Sequence, residues 1–266
     1  MYVCFTTTKE NVLIDCGFHK GDYVTNAIKE LSGKLKNIVI THQHLDHFAT
    51  LGKFVYEFSV NLDEILHSGL AHPRGVVPHH HLTTCKDYDG LEIPLWHQYG
   101  SFIVNDARWE SIETACENTE IHNLLPEKVD SEILSKHYGA LNYTSTPVGI
   151  RHYDHRIVIG SDINAEQFDT ISAGERADYL DNVSLYIPAS HGRPHHNPKW
   201  VLERLNPKYI CLNDSFPDSD FRGYYKDILP QSDVRACNVD RTQAYFFTED
   251  SVVRFGVKFE NGLVEA

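Results

Sequence analysis

The chain is short of basic charge. Its 266 residues carry 24 Lys and Arg against 37 Asp and Glu, a net charge of -13. That balance excludes nucleic-acid binding through a broad basic surface. It leaves a nucleic-acid substrate open, because bound divalent cations reverse the local field inside an acidic protein. Paired cysteines are also missing: Cys4, Cys16, Cys85, Cys116, Cys211 and Cys237 are scattered with no CxxC, which excludes a zinc knuckle. Runs such as "YICLND" read as strands in which a reduced thiol packs, so a reduced, cytoplasmic protein is expected. No basic stretch followed by an apolar one opens the sequence, and no apolar run approaches a membrane span, so no signal peptide and no membrane partner are expected. There is no internal repeat, no low-complexity tract and no linker; oligomeric state is not legible. What is present is an ordinary globular composition, 41% hydrophobic and 11% aromatic, with 17 histidines.

The first stretch reads as a hairpin, Tyr2 to Thr6 and Val12 to Ile14, ending at Asp15-Cys16-Gly17. In "DYVTNAIKELSGKLK", Val24, Ala27, Ile28 and Leu31 fall at i, i+3, i+4 and i+7, the spacing of an amphipathic helix. Ile38-Val39-Ile40 reads as a strand buried on both faces. From 51 to about 135 no sustained period appears, which reads as an irregular insertion, with a helix from about Arg108 to Glu117. Regularity returns in "TPVGIRHYDHRIVIGSDI", two strands around a tight turn near Tyr153-Asp154, and in "VSLYIPASH". Asn197 can then cap a helix with Pro198 at its first position and Trp200, Val201, Leu202 and Leu205 on its apolar face, stopped by Asn206-Pro207. "KYICLND" is a further buried strand, and "QAYFFTEDSVVRFGVKFENG" a C-terminal hairpin.

The chemistry is concentrated in "NIVITHQHLDHFATLG". Packing does not call for three histidines and an aspartate in six positions, and gathering them without a metal is electrostatically costly. Imidazoles and carboxylates are the ligands that zinc and similar divalent metals take in hydrolytic sites. His42 and His44, two apart, suit one metal; Asp46 and His47 suit a second. Asp162 and His191, each at the abrupt end of an apolar run, are the further ligands the chain offers. "HHH" at 79–81 reads as surface or lid, and "RHYDHR" at 151–156 as a polar hairpin tip.

With these residues in place, "THQHLDH" resembles the HxHxDH signature of the metallo-β-lactamase-fold hydrolases. "LIDCG" before it, "GSD" at 160–162 and "SHG" at 190–192 match that family's other motifs in order, over nearly the whole chain outside the insertion. The resemblance implies an α/β protein, a four-layer αββα sandwich built as a single domain over 1–266, with two divalent metal ions along one edge, zinc first and manganese the alternative. It implies that His42 and His44 hold the first metal, Asp46 and His47 the second, that Asp162 bridges and that His191 joins the second metal. For the remaining ligand of the first metal the candidates are His137, His152 and His155, and His137 has the family's spacing. "NYTSTPVGI" and "PASHGRPHHNPKWVLERLNPKYICLND" are further similar to the metallo-β-lactamase-like domain of the ComEC competence proteins, which would put Asn142 near the metal instead. The chain departs from that branch where Ser190 replaces the first histidine of HHG, and in the glycine-rich N-terminal strand.

Two such metals, about 3.5–4 Å apart, make hydroxide available at neutral pH, so the expected reaction is hydrolysis. Asp46 would be both ligand and orienter of the nucleophilic water. Arg193, His195 and His196 stand where they could meet a phosphate, with His195 protonating a leaving group; the other reading of "RPHH" is a solvated loop. The expected activity is therefore that of a phosphodiesterase or nuclease, with a phosphodiester substrate, DNA included. The alternatives are a lactonase or other small-molecule esterase with the insertion as a lid, and a degenerate, non-catalytic interaction module on the same fold.

Overall fold

The computed structural model describes residues 2–5, 10–15, 35–42, 45–48, 64–67, 84–86, 92–94, 103–104, 109–125, 140–213, 221–236, 243–256, 258–260 and 263–265. Residues 22–34 of the expected helix at 22–36 and the candidate ligands His44 and His137 lie outside them; Leu35 and Lys36 are described and are not helical. The chain forms two compact units, one of Met1–Trp109 with Glu127–Thr144, the other of Glu110–Pro126 with Ser145–Ala266. Each is built on one mixed sheet.

The first unit's sheet has five strands, β1 (Tyr2–Phe5), β2 (Glu10–Ile14), β3 (Asn37–Ile40), β4 (Glu64–His67) and, at its edge, β7 (Ile103–Val104). The hairpin β1–β2 is antiparallel as expected, and every later pairing is parallel. All four residues of β3 are buried, because a strand with parallel neighbours on both edges has no solvent face. β5 (Thr84–Lys86) and β6 (Glu92–Pro94) form a separate ribbon. These strands fall in the stretch where the sequence shows no period; at two to four residues each they are too short to show one. Two short helices follow β3 and precede the second sheet's main hairpin, α1 (Leu45–Phe48) and α2 (Ala140–Tyr143).

The second unit's sheet has seven strands. β8 (Ser111–Ile112), β9 (Thr119–Asn123), β10 (Val148–His152) and β11 (His155–Ile159) run antiparallel. β12 (Leu185–Ile187), β13 (Tyr209–Leu212) and β14 (Asp233–Ala236) continue from β11 in parallel. The expected turn joins β10 to β11, with His152 opposite His155 and Tyr153 in the left-handed region. The helix expected from about Arg108 to Glu117 is not formed over the described residues 109–117: Ser111 and Ile112 pair with His122 and Ile121, and the Thr114 hydroxyl accepts the Cys116 N–H. Trp109 and Ile112 are both buried, a spacing that suits a helix but is here satisfied by a strand and a local side-chain turn.

Three helices pack on this sheet, α3 (Ala165–Ala173), α4 (Lys199–Leu205) and α5 (Arg222–Ile228). They share one core, in which Val158, Tyr186 and Ile210 of the strands meet Phe168, Leu202 and Tyr225 of the helices. α4 corrects two expectations. Asn197 is not its cap, since Pro198 holds the N-cap position without a side-chain bond, and Asn197 is buried elsewhere. Trp200 is 38% exposed, because Val201, Leu202 and Leu205 already fill the face toward the sheet. The C-terminal hairpin is β15 (Gln243–Phe247) with β16 (Val252–Gly256), followed by the ribbon β17 (Lys258–Glu260) and β18 (Leu263–Glu265). Among the described residues no helix is long and apolar enough to cross a membrane.

Candidate metal centre

In both units the candidate ligands follow the carboxyl ends of neighbouring parallel strands, where backbone ends and loops begin and where α/β sheets place their ligands. The first unit is organised around Asp15, immediately after β2. Its backbone is left-handed, with φ 55°, and its N–H still donates to Val39 O at 2.8 Å, so the carboxylate is carried across to the end of β3. There Oδ1 accepts the Thr41 N–H and Oδ2 the Thr41 hydroxyl, both at 2.8 Å. Oδ2 also accepts His47 Nδ1–H at 2.7 Å. Because the Thr41 hydroxyl donates to Asp15, its lone pairs face His42 Nδ1 at 3.3 Å. Nδ1 is thereby the protonated nitrogen of both rings, and Nε2 of each is left as an electron-pair donor, the orientation that a metal-holding histidine needs.

His42 and His47 are buried, with ring centroids 4.1 Å apart. Asp46 is half exposed on α1, with Oδ2 3.8 Å from His47 Nε2. Burial pushes the Asp15 carboxyl up, but the His47 ring, through charge and hydrogen bond, and the Thr41 N–H outweigh it and hold the group below its ordinary value. In the sequence Asp15 is part of "LIDCG", with nothing beside it to give its carboxylate a task. The available signal was its place at the end of a strand that pairs in parallel with β3.

In the second unit the ligand-bearing loops are shaped by backbone. Gly160 lets the end of β11 approach β12 closely: a Cβ there would lie 2.6 Å from Ala189 N. Ser161 then turns left-handed, at φ 51°, and delivers the buried Asp162, whose N–H donates to Ser145 Oγ at 3.0 Å. The Ser145 hydroxyl in turn donates to Ser161 Oγ at 2.7 Å. After β12, Ser190, His191 and Gly192 are all left-handed, at φ 48°, 57° and 84°. This turn is tied from several sides: Ser190 N–H donates to Ser161 O at 2.6 Å, and the Tyr225 hydroxyl to Gly192 O at 2.9 Å. Buried Asn197 donates to the carbonyls of Ala189 and Arg193, both at 2.8 Å, and accepts the Ala189 N–H and the Tyr186 hydroxyl.

Of the expected site residues, His42, Asp46 and His47 in the first unit and Asp162 and His191 in the second are described residues able to hold a metal ion. Their donor set, imidazole nitrogen and carboxylate oxygen with an imidazole locked by Asp15, fits a zinc-like divalent cation. His152 and His155, the alternative ligands, are engaged at the hairpin, His152 Nδ1 with Thr119 Oγ1 at 2.7 Å and His155 Nδ1 with Ser184 Oγ at 3.1 Å. His195 is exposed on the 3-10 turn Pro194–His196, its ring centroid 4.4 Å from that of His196, which itself donates to Ile163 O. Partial desolvation, His196 and the Arg193 charge hold the His195 ring below its ordinary pKa. Asn142 is half-buried on α2, and its Oδ1 has no hydrogen-bond partner among the described residues.

Residues 1–85 match the family model described as "Metallo-beta-lactamase superfamily". No curated protein matches the chain. Among solved structures it is similar to the metallo-beta-lactamase fold protein YhfI from Bacillus subtilis, with 13% identity, a TM-score of 0.50, and 86% of this chain and 85% of that one covered. A mutant of the β-hydroxylase CmlA, from Streptomyces venezuelae, gives 12% identity and a TM-score of 0.50 over 85% of this chain and 49% of the other. This chain thus spans about half of CmlA. Igni18, a metallo hydrolase from Ignicoccus hospitalis, gives 14% identity and a TM-score of 0.44 over 85% and 81%. The protein has the metallo-β-lactamase fold, of the α/β class.

Proposed function

We propose that the protein is a metal-dependent hydrolase acting on phosphodiesters, nucleic acid among them. The observation that supports this best is the 2.7 Å contact of His47 Nδ1 with Asp15, which reserves Nε2 of a buried imidazole for a cation. In this reading His42, His44, Asp46, His47, His137, Asp162 and His191 hold two divalent ions, zinc or manganese. Bound there, the ions supply hydroxide at neutral pH and charge to steady the developing oxyanion. Half-exposed Asp46 orients the nucleophilic water, and Asp15 holds the His47 ring still while it does so.

The segment just beyond His191 favours a phosphodiester over a lactone. Arg193 and His195 offer an anion a positive charge and a proton-transfer group, which a neutral ester does not require. His195 is mostly neutral at neutral pH; a bound phosphate beside it would raise its proton affinity again and let it serve the leaving oxygen. Within the superfamily we place the chain nearest the ComEC-type branch, on the N-x-x-S pattern from Asn142 to Ser145.

Metal content and hydrolysis of a linear phosphodiester, in zinc and in manganese, test the reading on the purified protein and on His44→Ala and His47→Ala. The expected result is about two ions per chain in the parent, and loss of metal with at least about a hundredfold loss of rate in the variants. Equal trace metal in all samples would sink the enzyme reading, and activity confined to a lactone panel would sink the phosphodiester.

A further inference from the structure

We propose that the Ser190 hydroxyl is a positioning contact for the bound anion, donating a hydrogen bond to a phosphoryl oxygen of the substrate. The inference rests on the phosphodiester reading above and deepens it.

Ser190 is 1% exposed, yet its Oγ has no hydrogen-bond partner among the described residues. A buried hydroxyl left without a partner is destabilising, and native interiors seldom carry one. Its backbone adds to the cost, since φ 48° is a conformation that favours glycine. Alanine would fill the same space without stranding a polar atom, and glycine would relieve the backbone as well. Neither packing nor local geometry therefore calls for serine here.

The surroundings indicate what the hydroxyl serves. Ser190 lies between two candidate ligands: it precedes His191 in the chain, and its N–H is bonded to the carbonyl of Ser161, the residue before Asp162. The neighbouring hydroxyl of Ser145 is by contrast fully used, donating to Ser161 Oγ and accepting the Asp162 N–H. Among the described residues Ser190 thus carries a hydroxyl left over after the loops have been built. With the nearby imidazole and carboxylate assigned to cations, the acceptor that remains for an O–H donor is an oxygen of the anion those cations attract. Arg193, three residues on, supports the same occupant with charge.

The test uses the metal-loaded full chain and inorganic phosphate, the product-like anion, titrated calorimetrically into the parent, Ser190→Ala and Ser190→Gly. Metal content and kcat/KM on a phosphodiester are measured beside it. Both variants are expected to keep the parent's metal content and to bind phosphate about tenfold or more weakly, with kcat/KM falling in step. The glycine variant should melt no lower than the parent, which separates the lost hydroxyl from lost folding. Unchanged phosphate affinity in both variants, or a parent that binds no phosphate, overturns the proposal. So does loss of metal in both, which would make the hydroxyl a metal ligand, or weakening in the alanine variant alone, which would make it a backbone effect. A parent that binds phosphate through Ser190 but hydrolyses no phosphodiester would refute the function and leave this contact standing.

Discussion

The two units present candidate ligands at the same kind of place, the carboxyl ends of parallel strands, but they hold them by different means. In the first, side chains do the holding: one carboxylate, Asp15, accepts the Thr41 N–H, the Thr41 hydroxyl and the His47 ring. In the second, what is held is the main chain. A close approach at Gly160, left-handed residues at Ser161 and from Ser190 to Gly192, and the Asn197 amide bonded to main-chain atoms fix where Asp162 and His191 leave the sheet. The first arrangement controls which nitrogen of a ring carries the proton; the second controls where a loop runs. Damage to the first should therefore appear in metal affinity, and damage to the second in folding stability.

The largest effect is expected at Asn197. Its amide serves the Ala189 carbonyl, the Ala189 N–H, the Arg193 carbonyl and the Tyr186 hydroxyl, all but the Arg193 bond fully buried. Asn197→Ala strands several of these at once and should cost about 3–5 kcal/mol in denaturant unfolding. A loss below about 1 kcal/mol would show that the turn holds itself. Next comes Asp15→Ala, which frees both rings to rotate and lets His47 take the other tautomer. Metal affinity should fall about 10–100-fold, with a smaller change in unfolding free energy. If stability collapsed and affinity held, the contrast between the units would be reversed.

How legible each arrangement was follows from the range of its contacts. His42, Asp46 and His47 could be read because they lie within six residues, and Asp162 and His191 because each breaks an apolar run. The role of Asp15 could not, because its contact with His47 spans 32 residues and exists only once β2 has paired with β3. Asn197 misled for a related reason: next to Pro198 it has the chemistry of a cap, but the loop before it needed its amide more. Trp200 has the helical period of a core residue, but a helix of seven residues has only three buried positions. The buried strands β3, β11, β12 and β13 were legible as apolar runs ending in polar residues. The short strands between 64 and 104 were not, since each is too brief for alternation to show.

The smallest expected effect sharpens the comparison most. Two residues beyond Asp162, Asn164 caps α3: its side chain accepts the Gln167 N–H at 3.0 Å, and the Gln167 side chain accepts the Asn164 N–H at 3.1 Å. If the Asp162 loop is held by the strand ends and by Ser145, then the helix that follows is a passenger. Asn164→Ala should then lower stability by only about 1 kcal/mol and leave metal affinity within a factor of about two. If the helix instead sets the aspartate's position, the same substitution should weaken metal binding more than it lowers stability, as is expected of Asp15→Ala in the other unit. Isothermal titration of zinc into the metal-free Asn164→Ala variant, beside its thermal unfolding, decides between a loop shaped by backbone and one steered by a cap.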